Sequence, residues 1–440
     1  MKRALVPAIL AASAFGAGAA AAACPTVPRY ELPRERPRYH LAFRVRPEQS
    51  LVRGTLAVSF AAKRDTERLV FRLWPNGPRL RRFGARLTAG PVTEGGRTLR
   101  VTRPNETTLV VLPGRTLHAG EEIHVRMPWR LRLPRARGER LSRLGRLVRL
   151  GSFFPLLAWN GSGWALDPPS TGPAETWTSP AADFDVLISA PPGSRVLASG
   201  DEVAPGHWRA RGIRDFAAVV GRFRVASGVA HAPAPVKVIV GVSAGSSAPA
   251  PKRFVTRAVH ALDAHSGRFG PYPWRTLSLA VLPDLRGGGI EYPTLVFEGP
   301  RSLLGATSHE LGHQWFYSLV GNDQARDPWL DETLATWAAG RADHVLGVFA
   351  HWPIPAGVRG ELGAPMTFWD HHFSGFFAGV YAQGVRALFS LGDPRLVDCA
   401  LRRYVADNAY RTATPIDLLA SLQRFFPDAR QKLVAYGARF

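Results

Sequence analysis

The stretch that decides the fold is His309-Glu310-Leu311-Gly312-His313-Gln314-Trp315-Phe316. It lies within an apolar pattern that predicts a helix over 302–320. Residues four apart stand on one face of a helix, so the imidazoles of His309 and His313 can bind one zinc ion. Glu310 lies beside that face, where a general base can take a proton from metal-bound water. The stretch therefore predicts a zinc site with a base next to it.

A third ligand is required, because catalytic zinc usually takes three protein ligands and a water molecule. Glu332, in the downstream stretch Trp329-Leu330-Asp331-Glu332, falls early in a second helical pattern over 328–346. Gly321 and Asn322 can end the first helix and turn the chain back, so that the second helix presents Glu332 to the same metal. Both features arise together by chance in about one chain in two thousand of this composition. We predict one zinc ion per chain, held by His309, His313 and Glu332.

Working outward, two parts of the chain differ in pattern. Residues from about 26 to 225 form short alternating segments separated by turns, as is typical of an all-β unit. Proline- and alanine-rich stretches near 230–235 and 243–251 place a domain boundary near 230. Helical patterns follow over 252–267, 302–320, 328–346, 380–391 and 394–408, with a strand over 276–282. We expect a multidomain chain, with an all-β domain (25–230, saddle- or sandwich-like) before a mainly helical α+β domain (231–440).

The N-terminus has the composition of an export signal. A short basic start precedes an alanine-rich apolar run, so we assign residues 1–24 to a signal peptide and expect export to the periplasm, the cell envelope or the medium. Cys24 follows three alanines directly, which leaves open a lipoprotein signal and a membrane tether through Cys24. Cys399 has no obvious partner, so the sequence excludes a disulfide framework and a cysteine-based zinc site.

The formal charge of +22 is carried mainly by arginine. Such a balance can indicate an anionic partner, but it is equally a habit of composition, and we expect no nucleic-acid partner. Arginines recur through 130–149, every third residue from Arg137, which could form a charged stripe on a short helix. A solvated loop and a contact with a membrane or polyanion remain open for this segment.

The two metal-binding stretches closely resemble those of the zinc aminopeptidases of the aminopeptidase N and leukotriene hydrolase family, a gluzincin family. Asp331 stands where the family usually has asparagine, and Thr333 where it usually has glycine. The resemblance includes Gly288-Gly289-Ile290-Glu291-Tyr292, similar to the motif whose glutamate grips the substrate's free amine. Independently, the glycines at 287–289 leave a bare backbone edge along which a peptide can add as a strand.

Tyr381 is the candidate for the side chain that stabilises the oxyanion. Its segment, Val380-Tyr381-Ala382-Gln383-Gly384, resembles the family segment whose tyrosine stabilises the oxyanion, with Gln383 in place of a common lysine. Tyr292, Tyr317 and Tyr404 remain alternatives for that role. The adjacent His371 and His372 point apart on a helix, so we interpret them as surface residues rather than a rival metal pair.

The resemblance covers nearly the whole mature chain and implies a β domain followed by a thermolysin-like zinc domain, in a short form without the family's C-terminal helical domain. It implies a zinc aminopeptidase that acts on peptides with a free N-terminus. Zinc-bound water would attack the scissile carbonyl with Glu310 as general base, Tyr381 would stabilise the oxyanion, and Glu291 with Gly288 and Gly289 would hold the substrate. The β-domain contribution to the amine pocket is not recognisable in the sequence. Two alternatives remain, a zinc endopeptidase and a catalytically idle zinc fold that binds envelope polyanions.

Overall fold

The structure, a computed structural model, describes residues 24–135, 137, 139–172, 176, 178–231, 233–285 and 288–440. The predicted signal peptide therefore lies outside the described residues, apart from Cys24. Among the helices of the described part, none is both long and apolar enough to cross a membrane.

The N-terminal part consists of strands with the short helix α1 (Pro78–Arg81). The strands are β1 (Arg38–Arg46), β2 (Leu51–Ala61), β3 (Leu69–Arg72), β4 (Arg86–Ala89), β5 (Thr93–Glu94), β6 (Arg97–Thr98), β7 (Arg100–Asn105), β8 (Thr108–Leu112), β9 (Glu122–Arg132), β10 (Leu141–Leu144), β11 (Leu147–Leu150), β12 (Leu156–Leu157), β13 (Ala182–Ser189), β14 (Arg195–Ala198), β15 (Asp201–Ala204), β16 (His207–Ile213) and β17 (Ala218–Gly221).

A large mixed sheet organises this part in the order β15-β16-β13-β1-β2-β9-β5-β6, with β4 also paired to β9. β2 and β9 pair antiparallel from Leu51 opposite Arg132 to Ala61 opposite Glu122. Every second residue of β9 is buried, so one face of the strand packs on the core and the other meets solvent. The apolar and polar residues alternate in the sequence because one face of the strand is buried and the other is exposed. The predicted sheet-rich N-terminal part is confirmed.

Two smaller sheets, β10-β11-β17-β14 and β12-β3-β8-β7, complete this part. The arginine-rich segment 130–149 spans the end of β9 and the hairpin of β10 and β11, in which Leu141 pairs with Leu150. The short-helix interpretation is therefore wrong, because cross-strand pairing takes up the backbone. Arg149 is buried and bound to Asp284 at 2.7 Å, so the arginines of this segment do not share one solvated face.

The second part contains a mixed sheet in the order β18-β19-β20-β22-β21. Its strands are β18 (Phe223–His231), β19 (Pro235–Ser243), β20 (Thr276–Val281), β21 (Gly289–Tyr292) and β22 (Leu295–Glu298). β18 pairs with β19 along its whole length, so the chain enters this sheet before the predicted boundary near 230. β21 is the terminal strand of the order, and it pairs antiparallel with β22.

Helices cover this sheet and extend to the C-terminus. They are α2 (Pro251–Phe269), α3 (Ala306–Gly312), α4 (Trp329–Ala342), α5 (Leu346–Ala350), α6 (Met366–Trp369), α7 (Gln383–Phe389), α8 (Pro394–Asn408), α9 (Pro415–Gln423) and α10 (Ala429–Val434). α2 packs on β18 and β19 and contacts α3, so it ties the sheet to the helices. The mainly helical second part is confirmed.

The helix predicted over 302–320 is much shorter than expected. α3 ends at Gly312, with His313 as its C-cap. Beyond it, backbone groups pair with a distant segment: Tyr410 N–H donates to Leu319 C=O at 2.7 Å, and Gly321 N–H to Arg411 C=O at 2.9 Å. This tertiary pairing prevails over the local helical pattern at the end of the predicted helix, and local turns occupy the residues between it and α3.

Cys24 and Cys399 form a disulfide, with their Cα atoms 4.9 Å apart. The expectation that Cys399 lacks a partner is therefore wrong, because the fold brings together two cysteines that are 375 positions apart. The bond ties the start of the described chain to α8. It involves the same sulfur atom to which a lipid on Cys24 would be attached.

Candidate metal and substrate site

Three ligand-type atoms converge between α3 and α4. His309 Nε2 lies 3.1 Å from His313 Nε2 and 3.2 Å from Glu332 Oε2, and His313 Nε2 lies 3.4 Å from Glu332 Oε2. Ligand atoms about 2.0–2.1 Å from a tetrahedral zinc ion lie about 3.3 Å from one another. The spacing of the three atoms thus fits one zinc ion, and the group is a metal-binding candidate.

The remaining ring nitrogens have partners that orient the imidazoles. His313 Nδ1 lies 2.6 Å from Asp331 Oδ1, and Gln324 Nε2 donates to the other oxygen of Asp331 at 2.6 Å. His309 Nδ1 lies 3.3 Å from Thr336 Oγ1. Because a partner at Nδ1 fixes the tautomer, both Nε2 atoms are presented to the metal position. Burial also lowers the pKa of the His309 imidazole, which favours the neutral ring that a metal requires.

Close packing of α3 on α4 sets the distance between the ligands. A Cβ at Gly312 would lie 3.0 Å from the backbone of Ala335, tighter than ordinary contacts. The glycine between the two histidines therefore lets the second helix approach closely enough for Glu332 to reach the histidines.

The carboxylate of Glu310 lies buried beside the ligands. Among the described residues, its Oε2 atom has no hydrogen-bond partner. Burial raises the pKa of the Glu310 carboxyl well above its usual range, and the nearby charge of Glu291 adds to the effect. A dication at the neighbouring ligands would act in the opposite direction. A Cβ at Gly289 would lie 2.4 Å from Glu310 Cγ, so only glycine leaves room for this carboxylate.

Tyr381 lies on a π-helical turn, Phe377–Ala382, at the edge of the same cleft. Its ring stacks on the His309 ring, with centroids 5.5 Å apart. π-helical turns are rare and occur often at functional sites. This one packs against α4: Thr333 Oγ1 donates to Val380 C=O at 2.7 Å, next to Gly384, where any side chain would collide with Thr333.

Glu291 lies on β21, the strand beside the cleft. Its carboxylate belongs to a second group of ligand-type side chains, with Glu310 and His313, whose atoms lie within 4.8 Å of one another. Gln314 fixes the hairpin of β21 and β22: its Nε2 donates to Tyr292 C=O at 3.1 Å, and its Oε1 accepts from Thr294 N–H at 2.9 Å. The buried amide thus holds the amine-anchor candidate against the metal-binding helix.

The cleft has a volume of about 580 Å³ and is lined by residues of both parts of the chain. The N-terminal part contributes Arg137, Glu139 and Arg140, and the lining also includes Phe373 and Phe376. Arg140 Nη2 lies 3.5 Å from Glu291 Oε1. A contribution of the β domain to this pocket, which the sequence did not reveal, is therefore present in the form of an arginine.

Parts of the chain are similar in sequence to known aminopeptidases. No protein-family model matches the chain. Aminopeptidase B of Homo sapiens is 36% identical over 85 residues, 18% of this chain and 13% of that protein. Aminopeptidase M1-C of Oryza sativa subsp. japonica is 29% identical over 241 residues, 47% of this chain and 27% of that protein. The chain thus spans less than a third of the length of these relatives.

Solved structures match over almost the whole chain. An M1 zinc metallopeptidase from Deinococcus radiodurans has a TM-score of 0.69 at 20% identity, covering 92% of this chain and 95% of that one. A two-domain M1 zinc metallopeptidase variant bound to L-arginine has a TM-score of 0.70 at 19% identity, covering 92% and 94%. A glutamate-to-alanine variant of the Deinococcus radiodurans protein bound to a Tyr-Ser-Ala substrate has a TM-score of 0.68 at 21% identity.

The chain is thus similar in sequence to aminopeptidases over part of its length, and its fold is that of the M1 zinc metallopeptidases. Within this M1 fold, the residues predicted as ligands, His309, His313 and Glu332, come together with Glu310 and Tyr381 in one cleft. Glu291, Gly288 and Gly289 line the same cleft, whereas Gly287 lies outside the described residues.

The histidines and tyrosines that the sequence left as alternatives to the metal ligands and to Tyr381 lie elsewhere in the fold. His371 and His372 are exposed, as expected for surface residues. Among the described tyrosines, Tyr381 lines the cleft, whereas Tyr292, Tyr317 and Tyr404 are buried away from its lining. The residues missed from the sequence are Arg140, Gln314 and Thr336. Thr336 lies four positions after Glu332 on α4, a spacing that could have indicated it.

Proposed function

We propose that the chain is a zinc aminopeptidase that releases N-terminal amino acids from peptides outside the cytoplasm. The observation that carries the proposal is the triangle of His309, His313 and Glu332 atoms, with sides of 3.1–3.4 Å, next to a buried carboxylate. Zinc in that position would polarise the scissile carbonyl and acidify a water molecule.

The protein groups around the ligands divide the remaining work. Glu310 accepts the proton of the attacking water and passes it to the leaving amine, since its free oxygen faces no other partner among the described residues. The Tyr381 hydroxyl donates to the oxyanion that forms at the scissile carbonyl. Burial raises the pKa of that hydroxyl well above its usual range, so it keeps its proton and remains a donor.

Glu291 fixes the end of the substrate. Its carboxylate accepts hydrogen bonds from the α-nitrogen, and β21 offers its backbone to an extended peptide. A peptide held at both points places its first carbonyl next to Glu310 and Tyr381, so that one amino acid is released. The Tyr-Ser-Ala substrate bound to the Deinococcus radiodurans relative supports peptides as the substrate class.

The location outside the cytoplasm is supported by two observations. Disulfides such as Cys24–Cys399 persist in oxidising compartments, and the apolar N-terminal sequence has the composition of an export signal. Mass spectrometry of the exported protein should find an unlipidated Cys24 in a peptide linked to Cys399. A lipid on Cys24 would contradict this form of the proposal.

Zinc content and hydrolysis of leucine p-nitroanilide, measured together, test the proposed activity. We expect about one zinc ion per chain and turnover that a chelator abolishes and added zinc restores. His309→Ala should lose both zinc and turnover, whereas His371→Ala, at an exposed histidine outside the cleft, should lose neither. Zinc-loaded protein that cleaves neither leucine p-nitroanilide nor unmodified peptides would contradict the proposal.

A further inference from the structure

Arg140 lies inside the cleft as the ion-pair partner of Glu291. Its Nη2 atom is 3.5 Å from Glu291 Oε1, and the two side chains are only 12% and 7% exposed. The guanidinium also lies over the ring of Tyr292, 6.0 Å from its centroid. A buried pair of this kind is screened little by solvent, so Arg140 compensates the charge of the amine-anchor candidate.

The fold holds Arg140 in this position. Gly151 N–H donates to Arg140 C=O at 3.0 Å, and a Cβ at Gly151 would lie 2.2 Å from the Tyr292 hydroxyl. Behind them, Ser152 Oγ donates to the buried Asp215 at 2.6 Å. The β-domain hairpin is thus packed tightly on the strand of Glu291, and the arginine is a built part of the pocket.

The other carboxylates at this end of the cleft have arginine partners of their own. Glu139 pairs with Arg79 at 2.6 Å, and Asp284 pairs with Arg149 at 2.7 Å. Neither pair involves the guanidinium of Arg140. Among the described residues, Arg140 thus contributes a positive charge directly at Glu291, while Glu310 places a second carboxylate within 4.8 Å of it.

The ion pair between Arg140 and Glu291 bears on how the substrate's α-nitrogen is recognised. An ammonium group offers only donors and a positive charge, so a guanidinium on the same carboxylate opposes it. An amide N–H needs the carboxylate as an acceptor but brings no charge. Arg140 thus reduces the advantage that a cationic α-amine would otherwise have at Glu291.

We propose that Arg140 sets the substrate class of this site, so that peptides whose α-nitrogen is an amide are accepted alongside peptides with a free amine. The inference rests on the proposed peptidase function and specifies its substrates. An acyl cap and an upstream residue both supply an amide at that position. The cleft has a volume of about 580 Å³ and is also lined by Arg137, Pro283 and Leu285, and we expect it to accept either group.

The test compares kcat/KM for leucine p-nitroanilide, N-acetyl-leucine p-nitroanilide and N-acetyl-alanyl-leucine p-nitroanilide. In the wild type, the free-amine substrate should exceed the better acylated one by less than about tenfold. Arg140→Gln should raise that ratio about tenfold, while Arg140→Lys, which keeps the charge, should stay close to the wild type. Arg146→Gln, at an exposed arginine in the turn of the same hairpin, is the matched control and should leave the ratio unchanged.

The two acylated substrates distinguish an acyl cap from an upstream residue. Turnover of N-acetyl-leucine p-nitroanilide indicates an acyl cap, and turnover of N-acetyl-alanyl-leucine p-nitroanilide indicates an upstream residue. Wild type that cleaves neither, or a ratio that Arg140→Gln leaves unchanged, would overturn the proposal. Calorimetric binding of leucinamide and N-acetyl-leucinamide to zinc-loaded Glu310→Gln protein, with and without Arg140→Gln, gives the same ratio without turnover. If the wild type cleaves neither these anilides nor unmodified peptides, the peptidase proposal fails, while the calorimetric ratio still decides the role of Arg140.

Discussion

The metal-binding half and the amine-binding half of the cleft are assembled in different ways. His309 and Glu332 are 23 positions apart, on two helices that pack directly on each other. Arg140 and Glu291 are 151 positions apart; Arg140 directly precedes β10, and Glu291 lies on β21. The first half is encoded in one short stretch of chain, whereas the second depends on how the two parts of the molecule dock. The metal-binding residues can thus be recognised from neighbouring sequence, whereas the residues proposed to select the substrate are brought together by long-range packing.

Loss of the base in the metal-binding half should have the largest effect. Glu310→Gln removes the proton acceptor but keeps the shape of the side chain, so kcat should fall about 10³-fold or more. Zinc content and melting temperature should stay at wild-type values, because neither the ligands nor the core change. A variant that retains a tenth of the wild-type kcat would show that another group takes the proton.

Loss of the anchor in the amine-binding half should cost less. Glu291→Ala removes a charge-assisted hydrogen bond, worth about 1.5–3 kcal/mol, so kcat/KM for leucine p-nitroanilide should fall about 10- to 100-fold. The metal ligands are untouched, so zinc content should not change. Equal kcat/KM in variant and wild type would remove Glu291 from substrate binding.

The orienting carboxylate of the metal-binding half can be tested through zinc affinity. Asp331→Ala leaves His313 Nδ1 without its 2.6 Å partner, and zinc affinity should fall about tenfold in competition with a chelator. Asp331→Asn keeps an acceptor for the ring N–H, so its zinc affinity should lie between those of the wild type and Asp331→Ala. Unchanged affinity in both variants would mean that packing alone orients His313.

The smallest effect concerns Asp215, behind the amine-binding half. Burial raises the pKa of this carboxyl to about 7, so the folded protein keeps a proton that the unfolded chain releases above about pH 4. Its contribution to stability is therefore full below that pH and is lost as the pH rises through 7. Between pH 5.5 and 8 the melting temperature of the wild type should fall. The fall in Asp215→Asn should be smaller by about 2 °C. Identical pH profiles would contradict the raised pKa.

Elements with strong local signals could be predicted from the sequence. The helical pattern over 394–408 corresponds to α8, Pro394–Asn408, which begins with proline at its first turn and an aspartate cap. The alternation of β1 likewise predicts a strand, because one face of this strand is buried. The i, i+4 spacing of His309 and His313 needs only one helical turn, so the shortened α3 still positions both rings.

Features that depend on distant contacts could not be predicted. α3 ends at Gly312, and local turns lead from it to a backbone pairing of Leu319 and Gly321 with the segment around Tyr410, which no local pattern reveals. The Cys24–Cys399 bond and the Arg140–Glu291 pair likewise join residues whose proximity exists only in the folded chain. The arginines of 130–149 look alike in sequence, yet Arg149 is buried in an ion pair and Arg146 is exposed.

A crystal structure of the zinc-loaded protein, with anomalous diffraction measured at the zinc edge, tests the central claim most directly. We predict one anomalous peak, about 2.0–2.2 Å from His309 Nε2, His313 Nε2 and a carboxylate oxygen of Glu332. Glu310 should be close to the peak but outside bonding distance. A peak at another group of residues, or zinc-loaded crystals without a peak between α3 and α4, would contradict the account.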